Sequence, residues 1–453
     1  MPVKGVLLCI QCNNFVFLHY IQCKKYKIMD KRLLKTIIVE RQREIAETNL
    51  FERAISFESN ANYVIVGIRR AGKSYQMFQD IKSRVGTGEI SIDDCLYINF
   101  EDERIASMRA SELHLLLECY AELFGGKRPL VYLDEIQNIE GWEKFVRRLA
   151  DSKYRVMVTG SNAKMLSREI ATTLGGRFII REVFPFSFRE YLGWKGISAG
   201  SNWEYDKAEC LDVFKACETY LHFGGFAETF GIVNKREWIN SLYQKIILGD
   251  IIARNNIRNG NAIRLMTKKL AESVMQPMSQ TRLLNVIKSS GNVVGRNTVA
   301  EYLSYMEEAY LLFSLANFTD SFTERSVNRK RYFFDNGLLN NFLTGDEPKL
   351  LENVVAVDLI KRYRQSEGDS VFFYNKGVEV DFFVPDEKLA VQVAYSINDP
   401  VAKEREVRAL KKLSDTFEVR KNVIVTMDEE ANIVQDSIEI NVIPVWKWLL
   451  RND

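Results

Sequence analysis

No stretch limits what this chain can fold into more than Gly67-Ile-Arg-Arg-Ala-Gly-Lys73-Ser74. It completes the pattern G-x-x-x-x-G-K-[ST], and its flanks have the form that pattern requires. Tyr63 to Val66 read as a short buried strand, and Tyr75 to Val85 as a helix. Strand, glycine-rich turn and helix N-terminus together aim backbone N–H groups at an anion, and the helix dipole favours negative charge there. On this pattern Gly67, Arg70, Ala71, Gly72, Lys73, Ser74 and Tyr75 surround a nucleotide's phosphates. Lys73 reaches the β- and γ-phosphates, and Ser74 holds Mg2+ through its hydroxyl.

The hexapeptide Leu130-Val-Tyr-Leu-Asp134-Glu135 carries the other half of the chemistry. Four apolar residues form a buried parallel strand, and two carboxylates follow at its C-terminal end, where open α/β sheets bind ligands. Asp134 is expected to complete the Mg2+ site, and Glu135 to orient or deprotonate the attacking water. Arg155 to Gly160 reads as a further parallel strand, with Ser161 and Asn162 at its end; Asn162 is placed to sense the γ-phosphate, whereas Ser161 suits a helix N-cap equally. Residues 163–173 read as a helix. Arg177 precedes the strand Phe178 to Phe184 and is read either as a finger reaching a neighbouring copy's nucleotide, which implies a homo-oligomer, or as a local salt bridge.

Composition narrows the partners. At 453 residues the chain is long enough for two to four domains, and 46% apolar residues supply real cores. A net charge of +2 gives no global argument for nucleic acid or membrane. Seven irregularly spaced cysteines suit a reducing cytoplasm better than a disulfide framework, and Cys9-x-x-Cys12 has no second pair at zinc spacing. Residues 1–28 hold two short apolar runs broken by Gln11, Asn13 and Asn14, too short to span a membrane and lacking a signal-peptide cleavage site. They read as a non-native or disordered extension ahead of Met29.

Motif by motif, the chain resembles the prokaryotic AAA-like P-loop ATPases of the DUF4143 type. The residues that carry the resemblance are the phosphate loop, LVYLDEIQNI, TGSNAKML, GGRF, Phe184-Pro-Phe-Ser-Phe-Arg-Glu-Tyr-Leu192 and Tyr220 to Glu228, where the family usually shows a proline at the position of Ala227. The resemblance implies ATP rather than GTP, with Mg2+, and a multidomain α/β chain. Its parts are a P-loop parallel-sheet domain over 29–200, a helical lid over 201–275, a winged-helix-like module over 276–335 and a restriction-endonuclease-like α/β domain over 336–453.

Within that frame residues 30–58 read as helix, and Asp250 and Arg254 as an i,i+4 pair on an exposed helix face. The second helix of the winged module, Asn297 to Tyr310, offers Glu301, Glu307 and Glu308 where a DNA reader needs cations, which favours protein contact over DNA. The basic residues Arg325, Arg329, Lys330 and Arg331 read either as phosphate contacts or as a solvated cluster. Val442 to Trp446 reads as an edge strand. The last domain resembles the PD-(D/E)xK nucleases. Glu352 and Asp381 match the first two positions, but the third motif reads Gln392-Val393-Ala394, which lacks the second acid and the lysine. The favoured reading is an ATPase acting as a conformational switch on a partner; the alternatives are a DNA-binding regulatory protein and an ATP-gated nuclease.

Overall fold

The computed structural model describes residues 29–163, 172–200, 203–292, 294–318, 321, 328–364, 369–435 and 438–451. The expected extension 1–28, most of the helix expected over 163–173, and Arg325 lie outside the described residues.

The nucleotide domain is a five-stranded sheet of β1 (Asn62–Val66), β2 (Cys95–Asn99), β3 (Leu130–Asp134), β4 (Val156–Gly160) and β5 (Phe178–Glu182) in the order β2-β3-β4-β1-β5. Every pairing is parallel. β1 to β4 are largely apolar, buried runs because helices cover their faces, whereas β5 is partly exposed along its length. The helices Lys73–Gly86, His114–Phe124 and Glu143–Asp151 connect them, and the amphipathic helix Lys31–Glu47 buries Leu34, Ile37, Ile38 and Ile45. This first helix stops eleven residues short of the expected end at 58, because Thr48 turns to extended backbone (φ −68°, ψ 125°). The segment beyond is pinned by Arg53 instead. Its guanidinium donates to both carboxylate oxygens of Glu190 (2.7 and 3.0 Å) and to the carbonyls of Ala71 and Phe184 (3.1 Å each). Burial would raise the Glu190 carboxyl, but Lys361 and Arg53 hold it at about 2. The FREYL segment is thus a junction at which the nucleotide loop, the N-terminal segment and a C-terminal helix meet.

A helical region follows: Lys207–Phe223, Lys235–Lys245, a π-helical stretch Ile246–Ala253, and Gly260–Glu272. The helices Gln280–Ser289 and Arg296–Glu308 come next, joined through a turn at Gly291. The rest of the chain builds one mixed sheet from β6 (Leu312–Asn317), β7 (Lys330–Phe333), β8 (Phe372–Asn375), β9 (Glu379–Val384), β10 (Leu389–Val393), β11 (Lys421–Thr426), β12 (Ala431–Gln435) and β13 (Ile438–Pro444). Its order is β12-β13-β11-β10-β9-β8-β6-β7. The pair β6–β7, which falls within the span 276–335 assigned to the winged module, therefore continues the C-terminal sheet: β6 runs parallel to β8. Residues 442–446 are not an edge strand. β13 lies between β11 and β12, Trp446 belongs to the helix Val445–Leu450, and the edge is β12, which is solvent-facing along most of its length.

Two of the basic residues at the start of this sheet are neither solvated nor free to touch phosphate. Lys330 and Arg331 are buried within β7, and Arg329 pairs with Asp369 at 3.2 Å. A four-residue strand packed on both faces leaves its lysine and arginine no route to solvent, so they find partners inside.

Candidate nucleotide site

The site lies at the C-terminal ends of β1, β3 and β4, which the parallel order sets side by side. Gly67 leaves β1 with φ +146°, and a Cβ there would stand 2.1 Å from the carbonyl oxygen of Val183, so only glycine fits. The loop then turns into the helix Lys73–Gly86, directing that helix's N-terminus at the cleft. The Lys73 ammonium donates to the carbonyls of Gly67 (3.1 Å) and Ile68 (3.2 Å) and stands 3.5 Å from Glu135.

Three hydroxyls converge on Asp134. Ser74 donates to one carboxylate oxygen at 2.7 Å and Tyr97 to the same oxygen at 2.6 Å, while Thr159 donates to the other. Full burial and the neighbouring charge of Glu135 push the Asp134 carboxyl up. Glu135 takes left-handed backbone (φ +51°), an uncommon conformation for a side chain larger than glycine. Its N–H donates to the Thr159 hydroxyl at 2.9 Å, and its carboxylate accepts from Gln137 and from the Ser161 N–H at 3.3 Å. Burial works against its charge, but Lys73, the Gln137 hydrogen bond and Arg69 outweigh it and hold the group below the usual glutamate value. The two adjacent acids are thereby driven apart, the pattern that separates roles in acid–base sites.

The structure brings Gly67, Lys73, Ser74, Asp134 and Glu135 together as expected. Arg70, Ala71, Gly72 and Tyr75 join Lys73 and Ser74 in lining a cleft of about 670 Å³, which Phe51 and Trp194 also line. Asn162 is buried directly after Ser161. Arg177 lies at the opposite end of the sheet: β5 runs parallel to β1, and the Arg177 carbonyl accepts from Asn62, at the start of β1. Its guanidinium pairs with Asp151 at 2.8 Å, the local salt bridge of the two readings. Tyr97, Thr159 and Gln137 were not anticipated. The register of β2 with β3 pairs Tyr97 with Tyr132, two positions before Asp134, which brings its hydroxyl to that carboxylate, but no spacing in the sequence announces it.

Mg2+ suits these donors. A serine hydroxyl and a buried carboxylate, already 2.7 Å apart, supply the few protein oxygens that Mg2+ takes beside phosphate and water. Among the described residues there is no larger cluster of metal-ligating side chains.

Asp250 departs from expectation. It is buried, and its main partner is not Arg254 (3.4 Å) but the loop's Arg69, whose Nε and Nη2 donate to its two oxygens at 2.8 and 3.0 Å. The wider π turn replaces the regular helix on which the exposed-face reading relied.

The C-terminal acids also meet, around a lysine. The Lys330 ammonium lies 3.5 Å from Glu352, 2.8 Å from Glu379 and 3.0 Å from Asp381. Tyr332 donates to Glu352 at 2.7 Å. Gln392 accepts from the Asp381 N–H at 2.7 Å and donates to Glu406 at 2.7 Å. The lysine among these acids comes from β7.

Residues 59–192 match a family described as AAA domain, and residues 215–349 match a domain of unknown function, DUF8612. The chain is 32% identical over 439 residues to the uncharacterized protein MJ1544 of Methanocaldococcus jannaschii, covering 93% of this chain and 96% of that protein. It is 28% identical over 422 residues to an uncharacterized Haemophilus influenzae protein, covering 90% and 99%. Among solved structures it is similar to the Walker-type ATPase PABY2304 of Pyrococcus abyssi, at 13% identity and a TM-score of 0.36 over 70% of this chain and 97% of that one. The chain belongs to the family of MJ1544, and its nucleotide domain is that of an AAA-like P-loop ATPase.

Proposed function

We propose that the protein is a Mg2+-dependent ATPase of the DUF4143 type that hydrolyses ATP to switch conformation on a partner. The observation that carries this is the convergence of Lys73, Ser74, Asp134 and Glu135 on one cleft at the strand ends. Lys73, at present shared between two loop carbonyls and Glu135, turns to the β- and γ-phosphates. Ser74 and Asp134 would hold Mg2+, and the ion would supply positive charge beside the phosphoryl oxygens. Glu135, kept anionic by Lys73 and Arg69, accepts a proton from the attacking water as the water oxygen bonds to the γ-phosphorus and ADP leaves. Asn162 reads the γ-phosphate. The aromatic wall at Phe51 and Trp194 gives the base an apolar face.

The C-terminal sheet scaffolds or binds rather than cleaves. Lys330 stands where a metal would have to stand between Glu352 and Asp381, which disfavours the nuclease reading. Burial of Lys330 and Arg331 removes two of the cations the DNA-binding reading used.

The test is phosphate release by the purified chain. Lys73→Ala should lose nucleotide binding. Glu135→Gln should bind ATP yet turn over at least about a hundredfold more slowly, and should retain its partner in a pull-down. Normal turnover by Glu135→Gln would remove Glu135 from the role of base.

A further inference from the structure

The phosphate pattern leaves its four middle positions open, and two of them here are arginines tied to the helical region. Arg69 is held by two carboxylates of different character. Asp250, buried on the π-helical stretch, takes Nε and Nη2, while Glu101, 42% exposed at the side chain, takes Nη1 at 2.7 Å. The Asp250 pair is a bidentate fork with fixed direction. The Glu101 contact is a half-solvated ion pair of the kind that exchanges at little cost. Arg69, Glu101, Lys73 and Glu135 all line the same cleft.

An anion entering that cleft meets a guanidinium with one exchangeable donor and two fixed ones. We propose that Asp250 is a positioning residue, holding Arg69 so that its Nη1 leaves Glu101 for the terminal phosphate of bound nucleotide. This rests on the ATPase reading and adds a consequence to it. Asp250 belongs to the helical region, so turnover requires that region to be docked on the loop. The π turn at Ile246–Ala253, where the Arg254 N–H reaches back to Gly249, is the element that sets the position of Asp250.

The experiment uses the full chain. Asp250→Asn keeps the size and one acceptor but loses the charge that orients the fork. It should lower kcat roughly tenfold or more at temperatures where the variant is folded, while Mg·ATP affinity measured in the Glu135→Gln background changes less than about threefold; the melting midpoint should fall, because a buried pair loses one of its charges. Asp250→Glu should recover part of kcat. Glu101→Gln should tighten nucleotide binding, because it removes a competitor for Nη1; a purely adhesive Arg69–Asp250 pair would not produce that. Should Asp250→Asn fail to fold, Arg69→Lys carries the test, since it keeps the charge and loses the fork, and the same fall in kcat is expected. Wild-type kcat in Asp250→Asn and Arg69→Lys overturns the proposal, as does unchanged affinity in Glu101→Gln. A wild-type chain that does not hydrolyse ATP defeats the ATPase reading separately. Hydrogen exchange of amides 246–257 then decides the coupling: slowing on addition of Mg·ATP supports it, and no change overturns it.

Discussion

Two buried lysines in this chain are held in different ways. Lys73 lies on an open cleft, shared by two loop carbonyls and a single acid at 3.5 Å. Lys330 has no exposed surface and is in ionic contact with Glu352, Glu379 and Asp381, with the Phe373 ring 5.6 Å away. The difference is one of saturation. A lysine whose partners are neutral carbonyls gains by turning to phosphate. A lysine already neutralising three carboxylates has nothing to gain from a new anion, and it excludes a metal from the position it fills. A pattern match on the acids alone cannot tell these situations apart; the partner count around the cation does.

Exchanging each lysine for an isosteric apolar residue should break the comparison most clearly. Lys330→Met leaves three carboxylates without their cation and should lower unfolding free energy by roughly 3–5 kcal/mol. Lys73→Met removes hydrogen bonds to carbonyls and should cost about 1 kcal/mol or less, while nucleotide binding is lost. Denaturant midpoints with parallel nucleotide titration read both; equal destabilisation by the two variants would end the distinction. In the Lys330→Met background, adding Glu352→Gln should return on the order of 1 kcal/mol, since contacting residues couple by about 0.5–3 kcal/mol.

A third buried charge sharpens the same point from the other side. Asp335 has no lysine. It accepts N–H groups from Gly225 (2.7 Å) and Gly337 (2.8 Å), and its carboxylate fills the space a Cβ on Gly224 would need, 1.9 Å away. Burial pushes its carboxyl up to about 7 despite those donors. With the folded value above the unfolded one, the folded state binds more protons between about pH 4 and 7. Its contribution is therefore whole below pH 4 and is lost as pH rises through 7, at up to about 1.4 kcal/mol per pH unit. Asp335→Asn should flatten that part of the stability curve. An unchanged slope would show that Asp335 is better solvated than its surroundings indicate.

The loop and the paired acids of the candidate site were legible in the chain because their signals are local. A buried run that ends in Asp-Glu, and a glycine-rich turn between an apolar strand and a helix, are each contained within a few residues. What the sequence withheld depends on pairing between distant strands. Tyr97 and Thr159 reach Asp134 only because β2 and β4 flank β3. Lys330 looked solvated beside Arg329 and Arg331, since the acids that bury it come from a helix and a strand up to about fifty positions further on. Asp250 looked like a surface i,i+4 partner because periodicity assumes 3.6 residues per turn, and here the turn is wider. The edge strand β12 carries almost no apolar alternation, so nothing marked it.

The smallest effect is expected where both partners are wet. Arg70 follows Arg69 in the loop in left-handed backbone (φ +67°) and pairs with Glu228 at 2.9 Å, with side chains 56% and 45% exposed. It joins the same two regions as Arg69–Asp250, yet solvent screens it on both sides, and exposed pairs contribute about 0–1 kcal/mol. Glu228→Ala should therefore lower the unfolding free energy from denaturant titration by no more than about 0.5 kcal/mol, and raised salt should erase even that. A larger loss, persisting in high salt, would mean that the helical region is held to the loop by its outer ion pair as well as by the buried one.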